Sequence, residues 1–143
     1  MSGRDAIVAE ARRWIGTPYR HQMAVRGAGA DCLGLLRGVW REVYGAEPEL
    51  PPPYTADWDE VARTDVLFDA ARRHLVERHD GAMVVGDVLL FRMRSDAVAK
   101  HLGMVSSEAT FIHAYSGHGV VESSLSLPWR RRVVGVFSFP TRD

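Results

Sequence analysis

The stretch Gly29-Ala30-Asp31-Cys32-Leu33-Gly34-Leu35-Leu36 decides the reading of this chain. It is where a glycine-rich loop ends and an amphipathic helix begins. Cys32, Leu35, Leu36, Val39, Trp40, Val43 and Tyr44 recur at the three- and four-residue spacing of one helical face. Asp31 has the short acceptor side chain of an N-cap, and Gly45 suits a C-terminal stop. Cys32 is the only cysteine of the 143 residues, and it opens the buried stripe. A thiol at a helix N-terminus sits in a positive field that favours thiolate, the nucleophilic form. A lone cysteine with histidines downstream is the pattern of a cysteine nucleophile.

Working outward, Ser2 and Asp5 resemble a capping box ahead of a helix with Ile7, Ala11, Trp14 and Ile15 on one face. Gly16-Thr17-Pro18 ends that helix, and residues 19–31 read as irregular. After the Cys32 helix, Glu49-Leu50-Pro51-Pro52-Pro53-Tyr54 reads as a stiff, extended strap. Residues 57–79 read as helical, with a break near Arg63-Thr64 and a stripe of Leu67, Ala70, Ala71, His74 and Leu75. Beyond Gly81 the period changes to two. Val88-Leu89-Leu90-Phe91 reads as a mostly buried strand, followed by strands at 102–106, 110–115, 119–124 and 133–138. Helices first and strands afterwards predict an α+β fold, with N-terminal helices packed on a small antiparallel sheet. The length fits one domain spanning 1–143.

Composition excludes several classes of function. The 18 basic and 18 acidic residues cancel, so no basic field invites nucleic acid. Seventeen of the 18 basic residues are arginine and only Lys100 is lysine. One cysteine cannot close an internal disulfide. No apolar run approaches the ~20 residues that span a bilayer, so no membrane insertion is expected. The N-terminus has no apolar signal segment, which implies synthesis in the cytoplasm without a signal peptide and, for action outside it, carriage by something other than this N-terminus. Arg130-Arg131-Arg132 after Trp129 reads as a solvated loop.

Six histidines could serve the thiol: His21, His74, His79, His101, His113 and His118. His74 and His79 fall on the polar helix, and His118 on a Ser-Gly-His-Gly turn. His101 opens one strand and His113 lies within the next. A hairpin with Ser106-Ser107-Glu108 at its tip, pairing Val105 with Ala109, sets the two histidines directly opposite. Their Cβ atoms are then ~5 Å apart on one face. One imidazole meets the thiol and the other orients the first, the logic of a catalytic triad. A free thiol with pKa ~8.5 is only slightly ionised at neutral pH. A helix terminus offers up to ~2 kcal/mol, and the rest of the ionisation is expected from His101 as imidazolium. A rival reading makes Cys32, His101 and His113 three ligands of a metal. The chain offers no evident fourth ligand and no closely spaced ligand pair, so no metal or cofactor is expected.

Five ordered blocks resemble the NlpC/P60 cell-wall cysteine peptidases. They are Gly16-Thr17-Pro18-Tyr19-Arg20, Asp31-Cys32-Leu33-Gly34-Leu35, Gly86-Asp87-Val88-Leu89-Leu90-Phe91, His101-Leu102-Gly103-Met104-Val105 and Phe111-Ile112-His113-Ala114. The resemblance implies a papain-like fold and hydrolysis of an amide bond in peptidoglycan stem peptides, between D-glutamate and a diaminopimelate-type residue. It makes Cys32 the nucleophile, His101 the general base and acid, and His113 its orienter. Tyr19 matches a tyrosine whose hydroxyl supports oxyanion or substrate, and Asp31 an acidic residue that holds the substrate's amino end. The chain departs from the family at Leu33, where serine is usual, and at His21-Gln22-Met23-Ala24, where an aromatic and paired glycines are usual. Both departures border the substrate groove. An amidase cutting between muramic acid and the peptide, or a docking subunit with a vestigial site, stay open as alternatives. The bare chain, its Leu-Pro-Pro-Pro-Tyr strap and Asp57-Trp58-Asp59 also resemble the short peptidases of phage tails and gene transfer agents. That implies tail or baseplate proteins as partners and action in the recipient's periplasm or wall.

Overall fold

The Cys32 stripe packs across one face of an antiparallel sheet in the computed structural model, which describes residues 3–47, 66–93 and 99–140. The chain runs α1 (Gly3–Arg13), β1 (Ala24–Val25), β2 (Gly29–Ala30), α2 (Cys32–Tyr44), α3 (Val66–His74) and β3 (Val76–Arg78). It continues through β4 (Val88–Arg92), β5 (Ala99–Ser107), β6 (Thr110–Tyr115), β7 (Gly119–Ser124), α4 (Leu127–Arg130) and β8 (Val133–Ser138). β1 and β2 form a small hairpin. The other strands make one sheet in the order β3-β8-β4-β5-β6-β7, every pairing antiparallel. This is the α+β arrangement expected.

Both faces of the sheet are covered. Ile7 and Ala11 of α1, Leu35 and Val39 of α2 and Leu67 and Ala71 of α3 join Val88, Leu90, Leu102, Met104 and Ile112 in the main core. Leu89, Phe91, Val105, Phe111 and Leu125 form a second cluster, with Trp129 packed against it. Strand alternation sends neighbours to opposite faces. A strand buried on both faces therefore reads as the unbroken run Val88-Leu89-Leu90-Phe91, each residue fully buried.

Several expectations need correction. α3 ends at His74, and Val76–Arg78 pairs with β8 instead of extending the helix. Hydrogen bonds from an open sheet edge outweigh helix propensity there, and His79 follows a strand. Ile15 is 43% exposed and leaves the α1 stripe, whereas Trp14 is 2% exposed. Residues 19–31 contain the β1–β2 hairpin. The strap at 49–54, the Asp57-Trp58-Asp59 segment, the break near Arg63-Thr64 and Ser2 lie outside the described residues.

The β5–β6 hairpin has a different register from the one expected. Met104 pairs with Ile112 and Val105 with Phe111, and an irregularity lies between Val105 and Ser107 before Ser107 meets Thr110. The bulge absorbs a residue and tightens the tip to Glu108-Ala109. The shift is two residues, so His101 and His113 stay on one face but meet diagonally.

Candidate active site

Asp31 fixes the front of the site. Its backbone is extended, and its Oδ1 accepts from the Gly34 N–H at 2.7 Å, which caps α2. Its Oδ2 accepts from the Gln22 N–H at 2.7 Å, tying the 19–23 loop to the helix start. Gln22 has φ 64°, a left-handed conformation that costs a non-glycine residue energy. Gly34 makes the close approach possible, because a Cβ there would lie 1.8 Å from the Met23 carbonyl oxygen. Tyr19 bridges to Ala30 and so runs beside the same turn. These ties aim Cys32, the first residue of α2, at the start of β5.

Tyr19, Asp31, Cys32, Leu33, His101 and Tyr115 line one cavity of 160 Å³. His21 lines it too, its Nδ1 3.8 Å from Asp31 Oδ2. His113 lies behind His101, with His101 Nε2 and His113 Nδ1 2.8 Å apart. On the far side, His113 Nε2 is 2.9 Å from Ser123 Oγ. Gly103 gives the second imidazole room, since a Cβ there would lie 3.1 Å from the His113 Cβ. Trp129 covers both imidazoles, 5.7 Å from the His101 ring and 5.2 Å from the His113 ring. Tyr115 stacks on His113 and, beyond it, on His118. The pair is therefore walled from water by aromatic rings.

Burial sets the charge state. It pushes the Cys32 thiol up to about 12, with the Asp31 carboxylate adding to the effect. Backbone N–H groups of Leu102, Leu33 and Cys32 pull the other way and are outweighed. Burial, then the neighbouring His113, lowers His101 to about 3. Burial, then His118, lowers His113 to about 4. Burial thus favours a neutral thiol and neutral imidazoles over the expected resting thiolate–imidazolium pair. The helix field is worth at most ~2 kcal/mol, and desolvating a charge costs more. Tyr19 rises to about 12 through burial and the nearby Cys32 and Asp31, so its phenol keeps its proton.

Of the residues singled out from sequence, Tyr19, Asp31, Cys32 and His101 meet at one cavity, and His113 stands directly behind. His74 and His79 lie elsewhere. Among the described residues, no group of three His, Cys, Asp or Glu side chains converges as metal ligands do. Sequence reasoning missed Ser123, Tyr115 and Trp129. Ser123 was within reach, because His113 pairs with Val121 and Phe111 with Ser123, placing all four on one face. Trp129 carried no such signal, since α4 is a short helix with no periodic stripe.

The NlpC/P60 family profile matches residues 16–138. The chain belongs to the NlpC/P60 family. Among its relatives is the murein DD-endopeptidase MepS/murein LD-carboxypeptidase of Escherichia coli K12, 28% identical over 130 residues, covering 90% of this chain and 59% of that protein. A probable endopeptidase NlpC homolog of Haemophilus influenzae is 28% identical, covering 87% of this chain and 56% of that protein. The gamma-DL-glutamyl hydrolase of Bacillus subtilis is 26% identical over 93% of this chain and 29% of its own length. The chain thus spans little more than half of its first relatives. Among solved structures, the NlpC/p60 domain of peptidoglycan hydrolase SagA aligns with TM-score 0.65 at 23% identity, over 95% of this chain and 98% of that one. NlpC2 from Trichomonas vaginalis aligns with TM-score 0.70 at 20% identity, over 96% of this chain and 47% of that one. These likenesses establish the NlpC/P60 papain-like fold.

Proposed function

We propose that this NlpC/P60 domain is a thiol endopeptidase that hydrolyses the D-glutamyl–diaminopimelate bond of peptidoglycan stem peptides. One observation carries the reading. Cys32 and His101 share a cavity wall while His101 Nε2 is held 2.8 Å from His113 Nδ1. With Nε2 engaged by His113, Nδ1 is the nitrogen left to His101 for proton transfer with the thiol.

The neutral pair dictates a coupled first step. The Cys32 proton passes to His101 Nδ1 as Sγ bonds to the scissile carbonyl carbon, and the carbonyl π electrons move to oxygen. Ion-pair formation is delayed until substrate has displaced water, so its cost is met within the chemical step. The Tyr19 hydroxyl and the Cys32 backbone N–H are the donors for the oxyanion. As the intermediate collapses, the C–N bond breaks and His101 gives its proton to the departing amine. Water then attacks the thioester, losing a proton to His101, and the departing sulfur recovers that proton. His113 orients His101 throughout and spreads the imidazolium charge. Asp31 faces the substrate's amino end while its oxygens brace α2.

The names of the murein endopeptidase relatives and of the gamma-DL-glutamyl hydrolase support this substrate class. Delivery by a phage-like tail or baseplate belongs to the same proposal and rests on the resemblance of the strap and the Asp57-Trp58-Asp59 segment.

The test is digestion of purified peptidoglycan by wild type and by Cys32→Ala, with products identified by mass spectrometry. Cys32-dependent release of fragments cut after D-glutamate is the expected result. Free lactyl ends on muramic acid would assign an amidase instead. Equal product from both proteins would remove the enzyme reading.

A further inference from the structure

His113 has two ring nitrogens, and only one of them faces His101. We propose that Ser123 is a positioning residue that holds His113 in the tautomer His101 needs, an inference that rests on the hydrolase reading above. To accept the thiol proton at Nδ1, His101 must carry its resting proton at Nε2. That N–H donates across 2.8 Å to His113 Nδ1. His113 must then carry its own proton at Nε2, where it needs an acceptor. Ser123 Oγ is in place, 2.9 Å away.

The opposite polarity is also self-consistent. In it the Ser123 hydroxyl donates to His113 Nε2, and His113 Nδ1–H donates to His101 Nε2. His101 is then left with a proton on Nδ1 and cannot take another from the thiol there. The relay therefore has a working state and an idle one. A carboxylate or amide oxygen in the third place would accept only, and would enforce the working state. A histidine does not, and because the Ser123 hydroxyl can serve either polarity, what Ser123 supplies to the working state is an acceptor for the buried His113 Nε2–H.

Reaction favours the working polarity. As His101 becomes imidazolium, its bond to His113 becomes charge-assisted, and the bond from His113 to Ser123 strengthens with it. His113 is 0% exposed, so removing the hydroxyl would leave its N–H buried without that acceptor. The idle Nδ1–H tautomer would lose its donor too, but an orphaned buried N–H is tolerated less well than an orphaned acceptor, so that tautomer would gain population. Because the Ser123 bond strengthens only as charge develops, its loss falls on kcat rather than on KM.

The experiment is nitrogen NMR of histidine-labelled protein without substrate, together with steady-state hydrolysis of a soluble stem peptide. Wild type is expected to show His113 protonated at Nε2. Ser123→Ala is expected to move His113 toward the Nδ1–H form and to lower kcat about tenfold at nearly constant KM. Ser123→Thr, which keeps the hydroxyl on a strand that favours β-branched residues, is expected to recover most of the rate and the wild-type tautomer. A wild-type His113 protonated at Nδ1, or Ser123→Ala with unchanged tautomer and kcat, would overturn the inference. If Ser123→Ala does not fold, the wild-type and Ser123→Thr spectra decide alone. If hydrolysis proves independent of Cys32, the hydrolase reading fails, while the substrate-free spectra still decide what Ser123 does to His113.

Discussion

A thiol at a helix start feels two opposed forces, and at Cys32 they are unequal. The backbone N–H groups around Sγ favour thiolate, but the side chain is 7% exposed and lies beside a carboxylate. Desolvation wins, and the thiol rises to about 12. The expected outcome is slow alkylation: iodoacetamide at neutral pH should modify Cys32 at least about a hundredfold more slowly than a free thiol. The rate should keep climbing with pH beyond 9, the ordinary thiol value, because the thiolate fraction is still growing there. A plateau reached near neutral pH would mean that the ion pair exists at rest. At this scale the sequence was informative where residue type and position alone single a side chain out. Cys32, Asp31 and the two histidines announce themselves by type and position. The charge state did not, because it depends on burial by Trp129 and Tyr115, which come from distant segments. Gln22 shows the converse. It holds a left-handed φ of 64°, a conformation its type does not announce, stabilised by the bond from its N–H to Asp31.

Elements place the site through their ends and irregularities. Period-two alternation told which face His101 and His113 share, and a shift of two residues preserved that answer. A shift of one would have sent one ring to the helix side. The bulge itself was not legible, since nothing in Ser106-Ser107-Glu108 distinguishes a tight two-residue tip from a wider one. β3 was misread for a related reason. Val76–Arg78 is too short to show a period, and only the edge of β8 makes it a strand. The start of α2 is the element-scale feature with the clearest consequence. Gly34 sits where a Cβ would meet the Met23 carbonyl oxygen at 1.8 Å, and backbone cannot swing aside as a long side chain can. Gly34→Ala should therefore push the 19–23 loop off α2 and disturb the Asp31 cap. A cost of about 3 kcal/mol is expected from overpacking plus a weakened cap. For a chain of this size that lowers Tm by roughly 10 °C. Thermal unfolding by circular dichroism checks it, and a Tm unchanged within about 2 °C would show that the loop yields without strain.

For the whole molecule, the burial that keeps the imidazoles in their basic form makes stability depend on pH. His101 and His113 both have an ordinary value of 6.5 and fall to about 3 and about 4 in the folded chain. Below pH 6.5 the unfolded chain takes up these two protons while the folded chain does not. The unfolded state then binds more protons, so stability falls as pH falls. The stabilisation is fully present above 6.5 and is lost progressively down toward 3 to 4. At pH 5 the loss is roughly 2 kcal/mol for each histidine, taking about 1.4 kcal/mol per pH unit. Carboxylates with ordinary values near 4 add their own effect mainly below about pH 5, so the window from 5 to 6.5 reports chiefly on histidines, and substituting His101 and His113 together singles out these two. Urea titrations across that window should show the midpoint dropping with acid in wild type and much less in His101→Gln/His113→Gln. Equal slopes for the two proteins would assign the acid sensitivity to other groups. The expected difference follows from the fold as a whole. β5, β6 and β7 bring the two rings and Ser123 together, α4 covers them with Trp129, and that cover both keeps His101 unprotonated and makes the native state vulnerable to acid.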